Sequence, residues 1–167
     1  MAFRKGDFMN QAQDQALRHH LLELLRGRSA HLDLDQSLKD LPPELRGAKA
    51  PGLPHTIWQL LEHLRIAQWD ILEFSRNRDY TAPKWPDDYW PDTAAPPDDA
   101  AWDQSVEAVH RDLKAMEGLV ADPQTDLYAK IPWGDGQTIL REALLVADHN
   151  AYHLGQIVSV RQALGAW

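Results

Sequence analysis

Two histidines stand four residues apart in the segment VADHNAYHLGQIVSV, near the end of the chain. Because one helical turn takes 3.6 residues, His149 and His153 would lie one turn apart on the same stripe of a helix. Two imidazoles in that arrangement offer two ring nitrogens to one metal ion. Two ligands alone bind weakly, so a metal site would need a third ligand from another part of the chain.

His63 is the best candidate for the third ligand. It lies in the segment WQLLEHLRIAQWD, beside Leu60 and Leu64, where a buried polar group needs a partner. Three neutral imidazoles suit zinc, nickel, iron or cobalt ions, and three protein ligands leave coordination positions open for catalysis. The sequence therefore predicts a metal site of His63, His149 and His153. The alternative is a pair of surface or hydrogen-bonded histidines.

The other polar residues near this pattern have more ordinary interpretations. His19 and His20 are adjacent, so they point to different sides of a helix and are expected at the surface. Loop or surface positions are expected for the remaining histidines, which are His31, His55 and His110. Four further polar residues could orient an imidazole by a hydrogen bond, or else serve in capping, solvation or interhelical hydrogen bonding. They are Asp70, Asp148, Asn150 and Gln156. The candidates for a fourth metal ligand are Asp70 and Glu142.

Three motif-like stretches lack residues that their chemistry requires. HNAYH has the histidine spacing of a zincin protease, but Asn150 stands where the glutamate base is needed. HRDLKAME has Glu117 where a kinase catalytic loop carries asparagine. GDGQT lacks the third glycine of a dinucleotide-binding fingerprint. These stretches are therefore interpreted as helix and turn residues.

Length, composition and charge limit the class of protein. The chain has 167 residues, 44% hydrophobic and 25% charged, which suits one domain over residues 1–167. The net charge of −8 disfavours nucleic-acid binding, because phosphate backbones repel an acidic surface. The absence of cysteine excludes disulfides and thiolate ligands. No apolar run has the length of a signal peptide or a membrane span, so we expect a soluble, cytoplasmic protein that contacts no membrane.

Four long helical patterns must position the histidines, and no strand alternation competes with them. They are expected over residues 7–26, 56–77, 98–120 and 138–164. Thr56 and Gln59 have capping-box spacing at the start of the second pattern, and Thr138 is the expected N-cap of the fourth. A short helix is expected at residues 34–41. The predicted fold is all-α, a four-helix bundle with a long crossover loop between helices 2 and 3.

The crossover segment DYTAPKWPDDYWPDTAAPPDD is rich in proline, aspartate and aromatic residues. Its prolines prevent a continued helix. Its aromatic side chains are expected to pin the loop to the bundle, and a lid or pocket wall is the alternative. The residues considered for a pocket wall are Trp85, Tyr89, Trp90 and, in the third helix, Trp102.

Taken together, the sequence resembles the DinB-like superfamily of small metal-binding four-helix bundles, which includes bacillithiol transferases and mycothiol-dependent isomerases. The signature His-x-x-x-His-x-Gly-Gln of that superfamily matches His149, His153, Gly155 and Gln156. Its helix-two ligand falls on His63. The resemblance covers nearly the whole chain, and it implies a divalent metal, usually zinc or nickel, and often a homodimer.

The resemblance does not imply one reaction. Characterised relatives couple low-molecular-weight thiols to small electrophiles, or isomerise substrates through thiol adducts. We therefore expect a metal-dependent enzyme whose three-His site activates a small thiol or water, acting as an S-transferase or hydrolase. The first alternative is a non-catalytic metal- or ligand-binding bundle in a stress response. The second is a structural dimer whose histidines are only hydrogen-bonded.

Overall fold

The computed structural model describes residues 5–27 and 30–167, with side chains from residue 11 onward. All regular secondary structure in this part of the chain is helical, which confirms the all-α prediction. Short 3-10 turns lie at Pro43–Leu45 and Asp87–Tyr89. The α-helices are Lys5–Leu25 (α1), Leu34–Leu38 (α2), Ile57–Arg76 (α3), Asp99–Ala121 (α4) and Ile139–Ala163 (α5).

The four long helices begin and end within two residues of the positions predicted from the sequence. The short helix α2 is three residues shorter than predicted. It ends at Leu38 because Lys39 turns to an extended backbone, and Asp40 then takes a left-handed conformation with φ of 54°. Pro42 and Pro43 follow directly, so no further helical turn forms there.

Side-chain caps fix where the long helices start. Thr56 Oγ1 accepts a hydrogen bond from the backbone N–H of Gln59, and Gln59 Oε1 accepts one from the N–H of Thr56, at 3.2 and 3.1 Å. This is the predicted capping box of α3. Asp98 caps α4 by accepting one hydrogen bond from the N–H of Ala101, and Thr138 caps α5, as predicted, by accepting one from the N–H of Arg141.

The four long helices form a bundle in which α3 packs against α4 and α5, and α1 packs against the same two helices from the opposite corner. Residues 77–98 connect α3 to α4 and return to the N-terminal end of α3. There Thr56 Oγ1 donates to the carbonyl of Ala94 at 2.6 Å, and Trp58 Nε1 donates to Thr93 Oγ1 at 3.1 Å. Because of this return, α3 and α4 run parallel while α5 runs antiparallel to both.

The buried apolar residues form two clusters stacked along the bundle. One cluster surrounds Leu61 and Ile157, and the other surrounds Leu72 and Met116. Between the clusters, the buried amide of Gln68 lies in a polar layer that connects α3 to α4 and α5. None of the described helices combines the length and the hydropathy that crossing a membrane requires.

Candidate metal centre

The antiparallel packing of α3 and α5 brings three histidines together. His63 lies in the second turn of α3, and His149 and His153 occupy successive turns of α5. The Nε2 atoms of His63 and His149 are 3.3 Å apart. One ring nitrogen from each of the three residues lies within 4.8 Å of the others. The residues that the sequence singled out as metal ligands are therefore neighbours in the fold.

Hydrogen bonds orient two of the three imidazoles. His63 Nδ1 lies 2.9 Å from the carbonyl oxygen of Tyr89, and His153 Nδ1 lies 2.7 Å from Gln156 Oε1. An oxygen of this kind only accepts, so the proton of each ring sits on Nδ1. The lone pair of Nε2 then faces the cluster. The Nδ1 of His149 is buried and has no hydrogen-bond partner among the described residues.

The surroundings keep the imidazoles neutral. Burial, assisted by the neighbouring His153 and His63, lowers the pKa of His149 to about 3. Burial and His63 lower the pKa of His153 to about 4. Burial also lowers the pKa of His63, although its hydrogen bond to the Tyr89 carbonyl acts in the opposite direction. Neutral imidazoles keep the lone pairs that bind a cation, so the cluster is prepared for a metal at neutral pH.

Neither candidate for a fourth ligand belongs to this cluster, which contains histidines alone in the part of the chain that the structure describes. Asp70 Oδ2 accepts a hydrogen bond from the phenol of Tyr89 at 2.6 Å. Glu142 is buried and paired with Arg141 at 2.8 Å. Three nitrogen donors without a carboxylate leave room for further ligands on a bound ion.

The polar residues that were considered for orienting the imidazoles differ in whether they contact a clustered histidine. Gln156 contacts His153, as described above, whereas Asn150 turns away and donates from Nδ2 to Gln68 Oε1 at 2.8 Å. Asp148 is exposed on the outer side of α5. One of the four candidates therefore contacts a ligand candidate directly.

Of the aromatic residues considered for a pocket wall, Trp90 and Tyr89 contact the clustered histidines, whereas Trp85 and Trp102 do not. Trp90 stacks on the His63 ring, with centroids 3.9 Å apart and planes at 2°. Tyr89 provides the carbonyl that His63 contacts. Trp85 is 72% exposed and touches the Tyr89 ring from outside. Trp102 is buried beside Trp58 and is not in ring contact with the histidines.

A sequence model of the DinB superfamily matches residues 17–157. The match contains α3, α4 and most of α5, and with them all three clustered histidines. The chain belongs to the DinB superfamily. The resemblance inferred from the histidine pattern is therefore confirmed. Searches of curated proteins and of solved structures return no match.

Two residues at the histidine cluster of this DinB-superfamily chain were missed from the sequence. His55 lies in the loop before α3, as expected, but it is half-buried and stacks on Trp90 with centroids 4.1 Å apart, which was not expected. Tyr152 is 64% exposed, and its ring meets the edge of His153 at 5.0 Å. Tyr152 directly precedes His153 in the sequence, and this position could have indicated that its ring lies beside the imidazole. No local signal identifies His55, because its partner comes from the crossover loop.

The remaining histidines of the DinB-superfamily chain lie at the surface, as predicted. His19 and His20 are exposed beside Glu23, and these three form a second group with possible ligand atoms. Solvent-exposed pairs of this kind, one turn apart on a helix, are common without any ion. His110 pairs with Asp35 at 2.9 Å across exposed surface. His31, also exposed, contacts the carbonyl of Leu32.

The bundle also contains a cavity of about 510 Å³ away from the histidine cluster. It lies between α1, α2, α4 and α5, and none of the three clustered histidines lines it. Much of its wall is apolar, with leucines from four helices at Leu24, Leu34, Leu113 and Leu154. A volume of this size accommodates a small apolar molecule.

Proposed function

We propose that this DinB-superfamily protein is a divalent-metal-dependent enzyme whose site is formed by His63, His149 and His153. Zinc and nickel are the metals that we favour. The observation that supports the proposal most directly is the convergence of three neutral imidazole nitrogens without a carboxylate. Such a set matches the ligand preference of these ions and leaves positions for a substrate.

The protein's own groups have definable roles in this proposal. The Tyr89 carbonyl and Gln156 hold His63 and His153 with their Nδ1 protons directed away from the site. The half-buried Trp90 covers one face of His63 and limits the access of water there. When bound, a divalent ion supplies Lewis acidity that lowers the pKa of a thiol or of water. The exposed ring of Tyr152 borders His153 and supports access for a substrate from that side.

The proposed substrates are a low-molecular-weight thiol and a small electrophile, with water as the alternative nucleophile. They are proposed from the resemblance to thiol-dependent relatives, together with the coordination positions that three ligands leave open. The reaction would be S-transfer or hydrolysis. We also propose a cytoplasmic location and a homodimer. Nucleic acid and membrane are not among the proposed partners, because the net charge is −8 and the described helices are too short or too polar to span a bilayer.

Thiol conjugation with and without metal tests the proposal. The protein would be stripped with a chelator, reloaded with Zn²⁺ or Ni²⁺, and assayed with L-cysteine and monobromobimane. We expect metal-dependent acceleration of conjugation that His149→Ala abolishes, because the site loses one of three ligands. His110→Ala, which removes an exposed histidine, should retain the activity. Equal rates with stripped protein, loaded protein and His149→Ala would overturn the thiol-transferase proposal.

A non-catalytic ligand-binding bundle is the second candidate. The observation that favours it is the apolar cavity between α1, α2, α4 and α5, which is separate from the three histidines. The absorption spectrum of Co²⁺-loaded protein distinguishes the two candidates. An enzyme with open coordination positions should change its Co²⁺ spectrum when L-cysteine is added. A spectrum that L-cysteine leaves unchanged, together with absent conjugation, favours a binding protein.

A further inference from the structure

The indole of Trp90 lies between two imidazoles. His63 stacks on it at 3.9 Å with planes at 2°, and His55 stacks on it at 4.1 Å with planes at 15°. His55 and His63 make no ring contact with each other, although each is parallel to the indole. They therefore occupy opposite faces of Trp90. This arrangement places His55 behind the indole and outside the cluster of possible ligand atoms.

Tyr89, the residue before Trp90, contacts the edge of the His63 imidazole. The carbonyl of Tyr89 accepts the Nδ1 hydrogen bond of His63 at 2.9 Å. The phenol of Tyr89 donates to Asp70, which lies two turns after His63 on α3. The dipeptide Tyr89–Trp90 is thus fastened to α3 and touches His63 at its edge and at its face.

These two contacts restrict different motions of the His63 ring. A single hydrogen bond to Nδ1 fixes one point of the imidazole but still allows the ring to tilt about the Nδ1–oxygen direction. A parallel indole at stacking distance prevents that tilt, because the ring would then press into the indole face. With both contacts in place, the Nε2 lone pair is held toward His149 and His153.

We propose that Trp90 is a positioning residue for His63, and that His55 supports the indole from behind. This inference rests on the proposed metal site, since the direction of the Nε2 lone pair matters most when it binds an ion. The other two imidazoles depend less on the crossover loop. His149 and His153 belong to one helix and meet each other with centroids 4.4 Å apart. Among the three imidazoles the crossover loop stacks on His63 alone, and Trp90 meets His153 only edge-on, with ring centroids 6.3 Å apart.

Zinc affinity of Trp90 variants tests the proposal. We expect Trp90→Leu to weaken Zn²⁺ binding by about 10- to 100-fold, the range found when groups that orient a metal ligand are removed. Trp90→Phe keeps an aromatic face and should recover most of the affinity. Trp85→Leu, which removes an exposed indole from the same loop, should bind Zn²⁺ like the wild type. Competition with a chromophoric chelator measures the affinity, and thermal unfolding with chelator present shows whether each variant is folded.

Combining variants separates positioning from general packing. In a His63→Ala background, Trp90→Leu should not weaken Zn²⁺ binding further, because the ligand that Trp90 orients is gone. In a His149→Ala background, the weakening by Trp90→Leu should persist. If Trp90→Leu weakens binding equally in both backgrounds, or lowers thermal stability with Zn²⁺ affinity unchanged, the positioning role is refuted.

An NMR measurement without metal keeps this inference distinct from the proposed function. In wild-type apo protein, the ¹⁵N imidazole signals of His63 should report one tautomer with the proton on Nδ1. Trp90→Leu should keep this tautomer, because the Tyr89 carbonyl still accepts the Nδ1 proton, but ¹³C relaxation at Cε1 should show a more mobile His63 ring, and Trp85→Leu should leave the ring mobility unchanged. A wild type that binds no Zn²⁺ would refute the metal site. Unchanged ring mobility of His63 in Trp90→Leu would refute the role of Trp90.

Discussion

At the scale of single residues, the three imidazoles differ in the hydrogen-bond partner of Nδ1. The Nδ1 atoms of His63 and His153 are hydrogen-bonded to oxygen acceptors, whereas Nδ1 of His149 is buried without a partner in the described chain. The 3.3 Å distance between the Nε2 atoms of His149 and His63 is satisfied if His149 carries its proton on Nε2. In the proposed metal site, a His149 that binds through Nε2 would have to carry its proton on Nδ1 instead. His149 would then be the imidazole whose tautomer changes when metal binds.

The lowered pKa values predict that acid destabilises the apo protein. Unfolded histidines bind protons below a pKa of about 6.5, whereas the folded pKa is about 3 for His149 and about 4 for His153. The unfolded state therefore binds more protons as the pH falls from about 6.5 toward 4, and the free energy of unfolding decreases over that range. Urea unfolding with chelator, at pH values from 7.5 to 4.5, measures this decrease. His149→Gln should flatten the dependence, and an unchanged slope in that variant would contradict the assignment.

The sequence was sufficient to predict which histidines meet, but not what surrounds them. His149 and His153 are related by one helical turn, and His63 is a polar residue beside an apolar helical face. Both patterns are local. The contacts of Tyr89 and His55 depend on how a loop without periodicity folds back on α3, and no spacing rule describes that path.

At the scale of elements, the packing of α3 against α5 makes the histidines face each other. Thr56 and Thr138 are the N-caps at which these two helices begin. Capping residues are local signals, which explains why the ends of the long helices were predicted within two residues. The early end of α2 at Leu38 was not predictable in this way, because it follows from the left-handed backbone at Asp40.

Thr56 is expected to contribute more than an ordinary cap. Its hydroxyl accepts from the N–H of Gln59 and donates to the carbonyl of Ala94 in the crossover loop. Thr56→Ala should lower the free energy of unfolding by about 1–2 kcal/mol, because it removes the cap and leaves that carbonyl without its donor. Thr56→Ser keeps the hydroxyl and should lose far less. Urea unfolding compares the variants, and equal losses for alanine and serine would show that the hydroxyl is not responsible.

At the scale of the whole molecule, the parallel α3 and α4 and the antiparallel α5 enclose a polar layer between two apolar clusters. Gln68 donates from Nε2 to the carbonyl of Val109 and accepts from Asn150. This amide chain connects three helices beside the histidine cluster. The sequence predicted the bundle from four apolar periodicities. It did not predict the polar layer, because the meeting of Gln68 and Asn150 depends on contacts between helices distant in sequence.

The proposed homodimer is tested at this scale. The dimer is proposed from the family resemblance. Leu144 is 44% exposed on the outer side of α5, and this apolar position is one at which an interface can be probed. We expect sedimentation equilibrium at micromolar concentration to give twice the mass of one chain, and Leu144→Asp to shift the protein toward the monomer. A wild-type monomer under these conditions would refute the dimer.

We propose that His63, His149 and His153 bind one divalent ion. The most direct test of this site is metal stoichiometry and affinity by titration with Zn²⁺ and Ni²⁺, followed by thermal unfolding. The wild type should bind one ion per chain and unfold at a higher temperature with metal, because a ligand specific to the folded state stabilises it. Each of the three single alanine variants should lose more affinity than the about 10- to 100-fold that removal of an outer-shell partner costs, and His19→Ala should lose none. Stoichiometric metal in both His149→Ala and His153→Ala, or an unchanged unfolding temperature of the wild type, would contradict the claim.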